Sequence, residues 1–255
     1  MKFYFAIGSI LTCMITFAQA QNGAWKGKSC AVVLTYDDGL DVHRAIALPA
    51  LDSLGLKGTF YIANYNGDLP AQIPGWRQAA ANGHELGNHT IYHPCTGSRP
   101  GREFVLPDYD LSRYSLRRIR DEIQTMNTLL YAIDGRRQRS FAYPCADETI
   151  GDSAYLAGME TSFVAVRSVY SQMPTRSELR LNHLPGYVIN GQSGEELITL
   201  VKQAKEKEVL LIFLFHGVGG GHSLNVSKEA HSQLLHYLKE HEEEIWTPTV
   251  AELAK

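Results

Sequence analysis

Short apolar runs alternate with amphipathic stretches along this chain, the pattern of repeated strand–helix units. Ala31-Val32-Val33-Leu34-Thr35-Tyr36 reads as a strand. A helical stretch around 43–54 follows, with Ala45, Ile46, Leu48, Leu51 and Leu54 apolar and Gly55 as its stop. Thr59 to Ala63 reads as a second strand, Pro74 to Asn82 as a helix closed by Gly83, and 84–88 as a short strand. A helix from about Ser115 to Ile133 comes next, then strands near 139–143, 162–166 and 179–189, and a helix near 194–207. Val209 to Phe215 is wholly apolar and of strand length, as expected for a strand buried on both faces. A helix near 227–243 follows, Trp246 to Thr249 reads as a short edge strand, and a last helical turn runs to Lys255. This order predicts one α/β domain whose parallel strands close into a barrel, with its chemistry gathered at the strands' C-terminal ends.

The stretch 95–113 breaks the pattern. It carries Gly97, Pro100, Gly101, Pro107 and several charges, so a long loop is expected. Directly after His93, it reads either as a wall of a substrate cleft or as a surface excursion.

The N-terminus also departs. Lys2 supplies positive charge, Phe3 to Phe17 is mostly apolar, and Ala18-Gln19-Ala20 has the small-x-small form of a signal-peptidase site. Residues 1–20 are expected to be a signal peptide, cleaved near Ala20 to leave 21–255 as a secreted or periplasmic domain. The apolar run is short of the ~20 residues that span a bilayer, and Ile10-Leu11-Thr12-Cys13 is a poor lipobox. No later apolar segment is expected to span a membrane. A formal charge of −3 over 255 residues gives no support to nucleic-acid binding. Of four cysteines, Cys13 leaves with the leader and Cys30, Cys95 and Cys145 remain. An odd count leaves at least one thiol over. A Cys95–Cys145 disulfide at the barrel mouth is one reading and buried free thiols are the other.

Acidic and histidine residues fall just past the strand-like runs. The first strand leads into Asp37-Asp38-Gly39, the third into His89-Thr90-Ile91-Tyr92-His93-Pro94, and the run to Phe215 into His216-Gly217. Adjacent carboxylates point to opposite faces of a regular strand, but Gly39 permits a turn that brings both to one rim. His89 and His93 stand four apart, the spacing of one helical turn. Pro94 disfavours helix at His93, so a single turn or loop is expected there. An Asp and two His make a facial ligand set with open positions. Zn²⁺ is the default for such nitrogen and oxygen ligands, and Co²⁺, Ni²⁺ and Mn²⁺ also fit. Tyr92 and Trp76 read either as sugar-stacking aromatics or as packing. The match Asn88-His89-Thr90 to a glycosylation pattern overlaps the histidine motif and is taken as chance; Asn225-Val226-Ser227 matches it too. Gly217 to Gly221 reads as a flexible loop that gates the site; it lacks the lysine of a phosphate loop.

In order and spacing, Thr35-Tyr36-Asp37-Asp38-Gly39, His89-Thr90-Ile91-Tyr92-His93-Pro94 and Leu214-Phe215-His216 resemble the polysaccharide deacetylases of the NodB-homology group, the metal-dependent carbohydrate esterases. The resemblance covers roughly 30–255. It implies a distorted (β/α)₇ barrel that hydrolyses N- or O-linked acetyl groups from a polysaccharide or oligosaccharide. It further implies Asp37 as general base, Asp38, His89 and His93 as metal ligands, and His216 as general acid. The family's third motif corresponds to Phe141-Ala142-Tyr143-Pro144-Cys145, which makes the backbone N–H of Cys145 the candidate oxyanion donor.

Two departures stand out. The family's third motif carries an arginine, which holds the catalytic base, where this chain has Ala142, and an aromatic where it has Cys145. Arg167, at the end of Phe163-Val164-Ala165-Val166-Arg167, is either that arginine's replacement from the neighbouring strand or a surface charge. The family's fourth motif, an Asp with tryptophans, has no clear counterpart near 165–185. These departures keep open a second expectation, a carbohydrate-binding protein that kept the barrel and lost turnover. A third is a hydrolase of a different amide or a small acylated molecule.

Overall fold

The computed structural model describes residues 25–64 and 67–255; the expected signal peptide and its cleavage site lie outside them. The strands are β1 Cys30–Asp37, β2 Thr59–Ile62, β3 Glu85–Asn88, β4 Phe141–Ala142, β5 Thr149–Ile150, β6 Ser153–Ala154, β7 Val166–Arg167, β8 Tyr187–Val188, β9 Leu210–Phe215, β10 Gly217–Val218, β11 Asn225–Val226 and β12 Ile245–Trp246. Seven of them form one parallel path, β7-β4-β3-β2-β1-β9-β8, with β12 added to β1. The two edges approach each other through the chain ahead of β8. Leu184 bridges Arg167, with Leu184 N–H donating to Val166 O at 2.7 Å and Ser168 N–H to Leu184 O at 2.9 Å. The result is the curled, distorted barrel expected from the sequence. Its β3-β2-β1-β9 half is well formed, and its β4-β7-β8 half is reduced to strands of two residues.

Strand period decides what faces where. On β1, Cys30, Val32, Leu34 and Tyr36 pack outward against the helices, together with Phe60, Leu211, Phe213 and Phe215. Ala31 and Val33 point inward and meet Leu210, Ile212, Leu184 and the C-terminal Val250 and Leu253. Each fully buried aliphatic or phenyl side chain contributes about 1.5–3 kcal/mol, so this alternation fixes the register. Asp37 continues the inward series. The barrel floor is tied by buried Glu85, whose carboxylate accepts from Thr59 Oγ1 at 2.9 Å, Ala251 N–H at 2.8 Å, Ser140 N–H at 2.8 Å and Ser140 Oγ at 2.7 Å.

The outer helices are α1 Leu48–Ser53, α2 Leu69–Ala81, α3 Leu116–Asp134, α4 Gly194–Glu206, α5 Lys228–Glu240 and the short α6 Val250–Leu253. Three expectations are corrected. Helix α2 starts at Leu69, not Pro74. Pro70 lies in its first turn, where no N–H is required, and Pro74 is carried inside the helix. The expected strand at 162–166 is displaced to Val166–Arg167 behind a 3₁₀ turn at Glu160–Ser162, and the one at 179–189 shrinks to Tyr187–Val188, because Pro185 and Gly186 interrupt the run before β8. Thr249 is not in a strand; it caps α6 in a reciprocal box with Glu252, while Ile245–Trp246 pair with β1. The hairpin β5–β6 was not legible in the sequence pattern.

Candidate active site

Asp37 ends β1 facing the barrel interior. Asp38 then takes φ 79° and Gly39 φ 64°, a turn that delivers both carboxylates to one cavity. The left-handed conformation falls on Asp38 itself as well as on the glycine, a strain of the kind that collects at functional sites. After β3, His89 donates from Nδ1 to Ala142 O at 2.8 Å, which leaves the Nε2 lone pair aimed at Asp38, 3.5 Å from its Oδ1. Thr90 at φ 63° and His93 at φ 50° form an irregular turn, as Pro94 predicted, and His93 Nε2 stands 3.2 Å from Asp38 Oδ1. Asn88 underpins the turn. Its Oδ1 accepts from Thr90 N–H at 2.8 Å, and its Nδ2 donates to Ile123 O and Asn127 Oδ1, so it is no acceptor for a glycan.

The ligand atoms of Asp38, His89 and His93 lie within 4.8 Å of one another. Asp38 Oδ1 is buried without a well-formed hydrogen bond, although two imidazole nitrogens face it. A carboxylate oxygen and two imidazole nitrogens converging on one point are satisfied together by a divalent cation, and the donor set fits zinc. Burial works to raise the Asp38 carboxyl, but the charge of His93 and contacts from His89 and His93 hold it well below the usual carboxylate range. His93 moves the opposite way: burial would lower it, and Asp38 raises it.

Arg167 is fully buried, and its Nη2 donates to Asp37 Oδ2. It is therefore not a surface charge. Arg167 and Ala142 are register partners on β7 and β4, so a guanidinium from either position enters the barrel on the same side. Its charge lies 5.0 Å from the centre of the Tyr61 ring, a cation–π contact. Two glycines make the room. A Cβ at Gly87 would sit 2.4 Å from the Tyr61 ring, and one at Gly186 would sit 2.9 Å from Arg167 Cδ.

His216 follows β9 into the same cavity. Its ring stacks on His222, centroids 4.8 Å apart. Burial lowers its pKa, opposed by Asp38 and Asp37 and reinforced by His222. The glycine-rich segment around it is tied down: Gly217 N–H donates to Leu224 O, Gly219 N–H to Val226 O and Gly220 N–H to Asn225 Oδ1. A flexible gate is thus replaced by a small β10–β11 sheet. Beneath His216, buried His43 donates from Nε2 to the His216 carbonyl at 2.7 Å, so its Nδ1 carries the lone pair. His43 opens a π-helical turn, His43–Ala47, ahead of α1. The sequence reading missed His43, His222 and Glu85. The π-turn brings His43 to its place, the β10–β11 connection His222, and the pairing of β2 with β3 Glu85.

The Cys95–Cys145 disulfide is present, and among the described residues Cys30 is the free thiol, buried. The bond latches loop 95–113 to the segment after β4, where Cys145 and Ala146 take φ 53° and 60°. Arg102 adds to the latch, donating to Asp147 Oδ2 at 2.7 Å and Cys145 O at 2.8 Å. The loop walls a cavity of about 880 Å³ that holds Asp37, Asp38, His89, His93, His216 and Cys145. Tyr92 lies at its rim, whereas Trp76 is fully buried against Phe60 and belongs to the core.

The curled parallel barrel thus carries, at its strand ends, an Asp–His cluster able to hold a metal ion and a second buried carboxylate. The family model for polysaccharide deacetylase matches residues 26–160, more than half of the chain, and the chain belongs to that family. Among solved structures, the Xyl-CE4 domain of a multidomain xylanase from the hindgut metagenome of Trinervitermes trinervoides is 19% identical. The match covers 88% of this chain and 89% of that one at TM-score 0.57. Bacillus subtilis PdaA, a family 4 carbohydrate esterase, is 17% identical over 88% and 80% of the two chains at TM-score 0.54. A mutant of BA3943, described as a CE4 family pseudoenzyme with restored activity, is 15% identical over 88% and 67% at TM-score 0.55. At these identities the likeness is one of fold. No curated protein matches the chain. Among the described residues, no helix is long and apolar enough to cross a membrane.

Proposed function

We propose that residues 21–255 are a secreted or periplasmic, metal-dependent hydrolase that removes N- or O-linked acetyl groups from a polysaccharide or oligosaccharide. The observation that carries this is the convergence of Asp38, His89 and His93 beside an Asp37 held by buried Arg167. Asp38, His89 and His93 would hold a divalent ion, Zn²⁺ by ligand type. When bound, that ion polarises the acetyl carbonyl and acidifies water. Asp37 takes the proton of the attacking water, and Arg167 fixes which carboxylate oxygen does so. The developing oxyanion receives the Cys145 N–H. His216 hands a proton to the departing amine or alcohol. His43 holds the His216 main chain, and His222 packs against its ring.

Ala142 supports a second reading, a carbohydrate-binding relative without turnover, and a fold relative is itself described as a pseudoenzyme. The Arg167–Asp37 contact weighs against it. The test is acetate release by the metal-reconstituted mature protein from acetylated xylan and from N-acetylglucosamine oligomers, with a chelated control. Release that disappears on chelation supports the deacetylase and selects ester or amide. Bound metal without release from either substrate favours the binding protein. In the same assay Asp37→Asn is expected to lose at least ~100-fold in rate while keeping metal.

A further inference from the structure

Large apolar side chains that stand in water on a rigid loop call for an explanation. Among the described residues, Tyr92, Phe104, Leu106 and Tyr131 are the exposed large hydrophobics, with Phe104 at 64% and Leu106 at 61%. Three of these four, all but Tyr131, line the cavity of the candidate active site. Tyr92, just ahead of loop 95–113, stacks on Tyr109 within it, centroids 5.2 Å apart and planes 24° from parallel.

The segment that presents them is anchored at several points. The disulfide holds its start, and the paired backbone of Cys95 and Tyr109–Leu111 closes its neck. Arg99 and Arg102 both grip buried Asp147 at 2.7 Å. Gly97 N–H donates to Asp110 Oδ1 at 3.0 Å and Val105 N–H to Arg102 O at 2.9 Å. Side chains placed in advance lose little freedom when a ligand arrives.

We propose that loop 95–113 forms a second carbohydrate subsite, in which Phe104, Leu106 and the Tyr92–Tyr109 pair take the apolar face of the sugar unit next to the acetylated one. This rests on the deacetylase reading for the unit being processed, and it narrows the substrate to a neutral oligosaccharide. A pyranose offers C–H groups on its faces and hydroxyls at its edge, which suits aromatics that are apolar on one side and wet at the edge. The cavity, about 880 Å³, far exceeds an acetyl group and lies in the range of sites for multi-ring ligands. The arginines of the loop, Arg99, Arg102 and Arg113, are matched in number by Glu103, Asp108 and Asp110, and Arg99 and Arg102 also share Asp147, so the wall carries no net positive charge to invite a polyanion. His222 and Ser223 line the same cavity and supply partners for hydroxyls.

The test compares the mature protein with Phe104→Ala, Leu106→Ala and the aromatic exchange Phe104→Trp. Calorimetric binding and acetate release are measured on N-acetylglucosamine oligomers of one to five units and on acetylated xylo-oligosaccharides. Phe104→Ala and Leu106→Ala are expected to raise Kd and KM roughly two- to tenfold for oligomers, with least effect on the monomer and little on kcat. Phe104→Trp is expected to restore binding. An equal loss at every chain length, or no loss at any, overturns the subsite, as does a wild type that binds none of the oligomers. Should the wild type bind oligomers without releasing acetate, and Phe104→Ala weaken that binding, the subsite stands and the deacetylase reading falls.

Discussion

Moving the buried arginine from one strand to its neighbour separates what Arg167 does from where it sits. Arg167 is fully buried and Asp37 is 3% exposed, so both charges are out of water. Deleting the arginine leaves the Asp37 carboxylate buried without its cation, a loss of about 3–5 kcal/mol. Against a total of about 5–15 kcal/mol for a domain, Arg167→Ala should fold but with a large part of its stability gone. Asp37, the proposed base, would also lose the contact that orients it, so acetate release should fall by about 100-fold or more. Because Ala142 and Arg167 are register partners, Ala142→Arg in the Arg167→Ala background returns a guanidinium to the same side of the barrel. The double variant is expected to recover most of the stability and part of the rate. Urea unfolding with linear extrapolation gives the first, acetate release the second, and elemental analysis checks that metal content is constant throughout. An Arg167→Ala protein within about 1 kcal/mol of wild type and fully active would refute the reasoning.

Three further outcomes are expected. His222 helps to lower the pKa of His216, so His222→Gln should raise it; a general acid works protonated, and the alkaline limb of the pH–rate profile should move to higher pH, while an unmoved limb sinks the assignment. Burial pushes His43 and His231 from the usual 6.5 down to about 4. The unfolded chain therefore binds more protons between those values, and stability should be intact above pH 6.5 and fall towards pH 4, by roughly 3 kcal/mol for each histidine. Urea titrations across that window check this, and His231→Gln should flatten part of the slope. Cys95→Ala with Cys145→Ala opens a cross-link between residues 50 apart, which should cost about 4 kcal/mol by chain entropy and speed proteolysis within 95–113; an unchanged unfolding midpoint would show that the ion pairs to Asp147 and the backbone pairing at the neck hold the loop without the disulfide.

Much of the site was legible because strand chemistry is local. A run such as Ala31 to Tyr36 announces a buried strand, and residues just past such runs gather at one end of a barrel. Asp37, Asp38, His89, His93 and His216 are all found in one cavity for that reason. The irregular turn at His93 followed from Pro94. The sequence by itself also limited Arg167 to two readings, the orienting arginine or a surface charge.

Tertiary structure alone chose between them. Register between β4 and β7, each of two residues, sets Arg167 beside Ala142, and no periodicity can be read from so short a strand. The disulfide likewise needed the approach of a loop and a strand end separated by 50 residues. His43 and Glu85 were invisible because their roles come from long-range partners, the His216 carbonyl and the N–H of Ala251. The 95–113 loop read as a cleft wall or an excursion until its anchors at Asp147 and Cys145 were seen. Local pattern fixes which face a side chain takes; which other segment meets that face depends on the closing of the barrel.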